Sequence, residues 1–208
     1  MIKTIYLVRH GNVNSNVADA IQGADEPLNE FGILQAGKLA DRLSRVSFDT
    51  LVTSDILRAE QTAQAVAQAT GHAPIANALF REIREPSQFI GTPRVTPEVK
   101  EYYRQYIEAT DPNWKYSDDE SFAEMKNRAV EALSYIESLS GQAIAVVTHG
   151  HFMRLLVATM MFGSELSKKE WMRIELTFKT INTGVTVARR LPDRWQILTW
   201  NDHAHLAE

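Results

Sequence analysis

Cysteine is absent from the 208 residues, which excludes disulfides, zinc–thiolate sites and thiol catalysis. Positive charge is not in excess either. The formal net charge is −4, so nothing in the balance points to nucleic acid or an anionic membrane as partner. No apolar run is long enough to span a bilayer and no signal peptide is legible, so a cytoplasmic location is the expectation. There is no internal repeat and no low-complexity tract. Hydrophobic residues make up 44% and charged residues 23%, which at this length suits one well-buried domain with a small insertion.

What is present is organised around residues 2–11, IKTIYLVRHG. Ile5, Tyr6, Leu7 and Val8 form a β-rich run with too little polar alternation for a surface strand, so it reads as a central one. It stops abruptly at Arg9-His10-Gly11. A cation and an imidazole beyond a buried strand need polar company, and in α/β sheets ligands bind beyond the carboxyl ends of strands.

A polar loop, 12–25, follows. Asn29 is a good N-cap for a helix from Glu30, with Phe31, Leu34, Leu39 and Leu43 as its expected apolar face. A short strand over 49–53 leads to Ser54 and Asp55, which read as caps of a helix that Gly71 stops. Arg58 lies in the first turn of that helix, where a cation is disfavoured unless an anion joins it. From Pro74 to Asp119 the pattern loosens, broken by Pro86, Pro93, Pro97 and Pro112 around one helix over 98–108. An insertion at about 84–119, acting as a lid over the site, is expected there. An amphipathic helix over 120–139 ends at Gly141, and the apolar strand 143–147 breaks into Thr148-His149-Gly150 much as the first breaks into Arg9-His10-Gly11. A buried helix (151–162), a short one (167–172) and two or three strands with a turn at 191–194 complete the chain. Strand–helix alternation with unalternated strands predicts a three-layer α/β sandwich around a mostly parallel sheet, closed by an antiparallel hairpin.

His10 and His149 come from distant segments yet should open on the same sheet edge, together with Arg9 and Arg58. Two imidazoles and two guanidiniums at strand ends and helix N-termini make a pocket for a dianion, and phosphate is the obvious candidate. The planar guanidinium fork can hold two phosphoryl oxygens at once.

These residues resemble the histidine phosphatase superfamily, the phosphoglycerate-mutase-like enzymes. Arg9-His10-Gly11 with Asn16 is similar to the opening signature, and Gln22-Gly23 through Gln35-Ala36 to the second segment. Ser54-Asp55-Ile56-Leu57-Arg58-Ala59-Glu60-Gln61-Thr62-Ala63 resembles the third segment. Glu82, Glu120-Ser121…Arg128, Thr148-His149-Gly150 and Asn182-Thr183-Gly184 follow in family order. The resemblance spans residues 1–208 as one domain apart from the insertion. It implies His10 as nucleophile, becoming a phosphohistidine, and Arg9, Asn16, Arg58 and His149 as holders of the phosphoryl oxygens. Glu82 is implied as proton donor, with Glu85 a close rival. No metal or other cofactor is implied. The chemistry suits the residue: an imidazole with a pKa of about 6.5 keeps a neutral fraction at pH 7 that lysine would not.

Simpler readings compete. Arg58 could form a surface ion pair with Asp55. The His149-x-His151 and His203-x-His205 pairs hint at metal ligands, although the latter pair falls in a terminus expected to fray. Tyr102, Tyr103 and Tyr106 read as lid packing before substrate stacking. The sequence also departs from the family. Asn12-Val13 replaces a common Glu-Thr, and Ile83-Arg84-Glu85-Pro86-Ser87 replaces a Gly- and Trp-containing run of the fructose-bisphosphatase and ribazole-phosphate phosphatase branches. Residues 84–120 carry more acids than bases, which favours hydrolysis of a modestly charged phosphomonoester over mutase chemistry. The expected substrate is a small phosphomonoester, with a phosphoprotein as a second class and a homodimer as one arrangement of the chain. A phosphoglycerate mutase and a non-catalytic phosphate- or phosphopeptide-binding module are the alternative functions.

Overall fold

Six strands form one sheet in the computed structural model, which describes residues 2–207. They are β1 (Lys3–Arg9), β2 (Thr50–Thr53), β3 (Pro74–Ala76), β4 (Ala143–Thr148), β5 (Val185–Arg190) and β6 (Trp195–Asp202), in the order β3-β2-β4-β1-β5-β6. The first four strands run parallel, and β5 and β6 add the antiparallel hairpin. Its turn is closed by Leu191 N–H donating to the Arg194 carbonyl at 2.8 Å. Register carries the functional consequence. Arg9 is paired with Thr148, so the residues after β1 and β4, His10 and His149, emerge side by side at the same sheet edge.

Among the described residues seven α-helices surround the sheet: α1 (Asn14–Ala18), α2 (Glu30–Leu43), α3 (Leu57–Thr70), α4 (Pro97–Glu108), α5 (Phe122–Ser138), α6 (Gly150–Phe162) and α7 (Lys168–Thr177). Side chains alternate across the strands, so the sheet feeds two cores. Ile5, Leu7, Ile144 and Val146 pack with α5, α6 and α7, whereas Val8, Ala145 and Val147 pack with α2 and α3. This is the expected three-layer arrangement. Leu7 and Ile144 have no exposed surface, and each contributes about 1.5–3 kcal/mol by its burial. Helix starts are capped as their sequences dictate. Asn29 accepts from Gly32 N–H at 2.8 Å, and Ser121 with Glu124 forms a capping box at the start of α5.

Several expectations need correction. The buried face of α2 is Gly32, Gln35, Ala36, Leu39, Ala40 and Leu43, while Phe31 and Leu34 are 59% and 66% exposed. The first turn of α2 packs against the backbone at Asn12: a Cβ on residue 32 would lie 2.1 Å from the Asn12 carbonyl oxygen, so only glycine fits. The loop 12–25 contains α1, a helix too short to show periodicity. β3 lies in the loosened region and starts with Pro74 at the sheet edge, a position where a missing N–H costs nothing. The last helix runs to Thr177, past the expected 172. The C-terminal segment is tied down, because the His205 ring contacts Arg42 and the Thr183 hydroxyl, each at 3.1 Å.

Residues 84–119 are held at several points. Ile21 N–H donates to Thr92 O at 3.0 Å, Gly91 N–H donates to Ile21 O at 2.8 Å, and Ile21, Phe89, Val99 and Tyr102 share a small core. Tyr102 is buried there, Tyr103 donates to Glu85, and the Tyr106 hydroxyl accepts from Trp171 at 3.2 Å. All three tyrosines serve packing, and none lines the cavity described next.

Candidate active site

Beyond the carboxyl ends of β1 and β4 lies a cavity of about 1040 Å³. His10 and His149 lie just behind its Arg58 lining, both with no exposed surface, their ring centroids 5.0 Å apart and tilted by 57°. Nδ1 of His10 lies 2.7 Å from the Gly11 carbonyl and donates to it, which leaves Nε2 unprotonated. Nε of Arg58 donates to that Nε2 at 3.2 Å. Burial, then Arg58 and Arg9, hold the His10 pKa well below its ordinary value, so the ring is neutral with its lone pair on Nε2.

Arg58 is 1% exposed and in the first turn of α3, and Nη1 donates to the Gly23 carbonyl at 2.7 Å. The surface pairing with Asp55 is not made. Asp55 takes a bidentate ion pair from Arg81 at 2.6 and 2.7 Å instead. Ser54 does not cap α3 through its helix amides; its hydroxyl accepts from Ile56 N–H at 3.2 Å and contacts Nε2 of His149 at 2.9 Å. Arg9 is fixed by Nη1 donating to Thr180 O at 2.7 Å, and burial pushes its pKa down to about 10. Burial, then His10, Arg58 and Arg9, lowers the pKa of His149 as well.

Two polar atoms here are buried without a hydrogen-bond partner: Nε of Arg9 and Nδ1 of His149. Glu26 Oε2, His72 Nδ1 and Asp119 Oδ2 are also buried without a partner, but Arg9 Nε and His149 Nδ1 belong to one group of cationic and imidazole side chains, an arrangement that calls for a ligand. Asn16, in α1, lines the same cavity, its Oδ1 accepting from Val13 N–H and Asn182 Nδ2, each at 3.2 Å.

Glu82 also lines the cavity. Its carboxylate accepts from Ile83 N–H at 2.9 Å and from two amides in the first turn of α6, His151 at 3.2 Å and Phe152 at 2.9 Å. Burial alone would raise its pKa, but His151 and these three amides hold it below the usual value. Glu85 is committed elsewhere, bound bidentately by Arg94 at 2.7 and 2.8 Å. The structure thus gathers His10, His149, Arg9, Arg58, Asn16 and Glu82 and occupies Glu85. His149-x-His151 and His203-x-His205 build no metal site: among the described residues, no three His, Asp or Glu side chains converge to hold an ion.

Some supporting residues were not read from the sequence. Asn182 Nδ2 donates to the His10 carbonyl at 2.9 Å, and Thr62 Oγ1 accepts from Gly11 N–H at 3.0 Å. Thr183 adopts φ 60°, a left-handed conformation that β-branched residues avoid, with its N–H on the Arg9 carbonyl at 2.9 Å. Each of these lies in a segment that carried the family resemblance, but a side chain bonded to remote backbone leaves no periodic signal.

Comparisons with known proteins agree. The sequence profile of the histidine phosphatase superfamily (branch 1) matches residues 5–203. The Yersinia pestis protein described as "Probable phosphoglycerate mutase GpmB" is 32% identical over 162 residues, covering 76% of this chain and 74% of its own. Among solved structures, a mycobacterial glucosyl-3-phosphoglycerate phosphatase complexed with VO3 superposes with a TM-score of 0.80 at 22% identity, covering 96% of this chain and 98% of that one. The Entamoeba histolytica phosphoserine phosphatase in complex with 3-phosphoglyceric acid gives a TM-score of 0.81 at 22% identity, covering 98% and 99%. At those identities the two structures speak for the fold, and the profile match over nearly the whole length decides the kinship. This chain belongs to the histidine phosphatase superfamily, branch 1.

Proposed function

We propose that this protein is a phosphomonoesterase that works without a metal, through a phosphohistidine at His10. The observation that carries this reading is a neutral imidazole whose Nε2 is aimed by Arg58, set beside two buried nitrogens with no protein partner, Arg9 Nε and His149 Nδ1. In the first step the Nε2 lone pair attacks phosphorus in line and the P–O ester bond breaks. Arg9, Arg58, His149 and Asn16 hold the three non-bridging oxygens as charge redistributes. When the Ser54 hydroxyl donates to Nε2 of His149, the imidazole proton sits on Nδ1, the orphaned atom, ready for an oxygen. Glu82 protonates the leaving alkoxide. It then takes a proton from water, the hydroxide attacks phosphorus, and the P–N bond breaks to release phosphate and the starting enzyme.

Glu82 is anionic in the free site, so its proton arrives with the substrate. A phosphomonoester has a second pKa of about 6, and a phosphoryl dianion beside the carboxylate raises the pKa of Glu82. The buried guanidiniums supply the positive charge that a metal would otherwise provide. In this reading residues 84–119 form a lid that walls the cavity through Arg84, Glu85, Ser87, Ile90 and Arg94 and selects the substrate. A cavity of this size suits a small phosphorylated metabolite.

The test is turnover of p-nitrophenyl phosphate by the purified protein with and without EDTA. The reading expects equal release of phosphate in both. No release, with inorganic phosphate still bound, would favour a binding module, and release abolished by EDTA would remove the metal-free claim. The similarity to a phosphoglycerate mutase sustains one further reading, which isomerised phosphoglycerate among the products would establish.

A further inference from the structure

His151 is an imidazole on the cavity wall, and the chemistry above does not use its side chain. Its backbone N–H donates to Glu82, while Nδ1 of its ring is 2.8 Å from the Glu175 carboxylate. Glu175 is itself clamped by Arg154 at 2.6 and 2.8 Å, and Arg154 also donates to Phe178 O at 3.2 Å. The ring is therefore fixed from behind, with Nε2 making no hydrogen bond among the described residues, and a protonated His151 with Arg154 and Glu175 carries one net positive charge. Arg84 lies two residues further along the chain from Glu82 and lines the same cavity. It is an exposed cavity-lining guanidinium that donates to the Asp118 carbonyl at 2.7 Å and makes no ion pair among the described residues. Arg9 and Arg58 are likewise without an ion pair among the described residues, but they belong to the phosphoryl site, and the remaining wall arginines differ. Arg81 is paired with Asp55, Arg94 with Glu85 and Arg128 with Glu120. The acids that dominate residues 84–120 in the sequence are largely consumed, Glu101 and Glu108 by Arg104 and Asp119 by the N–H groups of Tyr116 and Ser117.

Resting on the phosphatase reading, we propose that His151 and Arg84 form an anion subsite flanking the proton donor. It reads a second negatively charged group on the alcohol half of the substrate. In-line attack puts the leaving oxygen opposite His10, at Glu82, so groups bonded to Glu82 or next to it in the chain face the alcohol. Imidazolium and guanidinium suit a carboxylate or a second phosphate equally. Burial favours the neutral form of His151, but Glu175 and Glu82 outweigh it and, against Arg154, raise its pKa, so the cation persists above the ordinary range of histidine.

The test uses a four-carbon series: 4-hydroxybutyl phosphate, 3-carboxypropyl phosphate and butane-1,4-diyl bisphosphate. At pH 6.5 the wild-type kcat/KM for either or both charged esters should exceed that for the neutral one by tenfold or more, mostly through KM. The ester that shows the advantage identifies the anion. His151→Gln should bring the ratio close to one, Arg84→Gln, an exposed change, should lower it several-fold, and raising the pH should diminish it in wild type. A wild-type ratio near one, or a ratio unchanged in both variants, overturns the subsite while turnover of p-nitrophenyl phosphate leaves the phosphatase reading standing. Failure to turn over any ester, p-nitrophenyl phosphate included, removes the phosphatase reading and the subsite with it.

Discussion

Nε of Arg58 donates to Nε2 of His10 at 3.2 Å, while the other ring nitrogen of His10 lies 2.7 Å from the Gly11 carbonyl oxygen. A guanidinium in the first helical turn and an imidazole at a strand end thus fix each other, and the lone pair on Nε2 of His10 is held in one direction. In the proposed reaction phosphorus takes that lone pair, and Arg58 is then left to bond a phosphoryl oxygen. Arg58→Ala should therefore lower kcat/KM by about 10²–10³, the usual loss for one transition-state donor. Arg58→Lys should recover little, because an ammonium lacks the planar fork that reaches both His10 and Gly23. Steady-state kinetics on one ester, with a fold check by circular dichroism, decides it.

The two buried imidazoles, His10 and His149, tie stability to pH. Their folded-state pKa values lie below the unfolded one, so below about pH 6.5 the unfolded chain binds more protons and folding weakens as pH falls. Each ring can contribute a slope approaching about 1.4 kcal/mol per pH unit. Denaturant titrations between pH 7.5 and 5 should show this loss in wild type and a shallower one in His149→Asn. Parallel profiles would mean that His149 is not buried neutral.

Glu82 and Glu85 should behave differently. Glu82→Gln is expected to slow poor alkyl leaving groups by about 10²–10⁴ and p-nitrophenyl phosphate much less, since nitrophenolate needs no proton. Glu85→Gln breaks the tie to Arg94 and Tyr103, so it should disturb residues 84–119 and raise KM for all esters alike. Leaving-group plots for both variants separate the roles. A steeper plot for Glu85→Gln would reassign the donor.

Gly32→Ala tests the contact between α2 and the loop after His10. The added methyl would meet backbone atoms of Asn12 at 2.1–2.9 Å, and backbone cannot swing aside as a flexible side chain can. A loss of about 1–3 kcal/mol in chemical denaturation is expected, with reduced activity because the shift passes to Gly11 and His10. Gly37→Ala, in the same helix with open space at its Cβ, should be neutral or stabilising.

Much of this was legible in the sequence. The sheet followed from unalternated strands such as residues 143–147, and His10 and His149 could be paired because both follow a strand without a break. What stayed hidden has physical reasons. Phe31 and Leu34 outrank Gly32 and Ala36 in hydrophobicity, yet close backbone approach requires the small residues inside. The pairing of Arg81 with Asp55 and the grip of α6 on Glu82 join residues 26 and about 70 positions apart, which no local pattern encodes. His151 was readable as a metal candidate only, because Glu175 enters from α7.

The central claim, covalent transfer to His10, is tested most directly by rapid quenching with a ³²P-labelled phosphomonoester. The account predicts a protein-bound label that acid releases and alkali preserves, located on His10 by peptide mapping and absent from His10→Ala. Undiminished labelling of His10→Ala, or turnover in wild type with no labelled protein at any quench time, would contradict it.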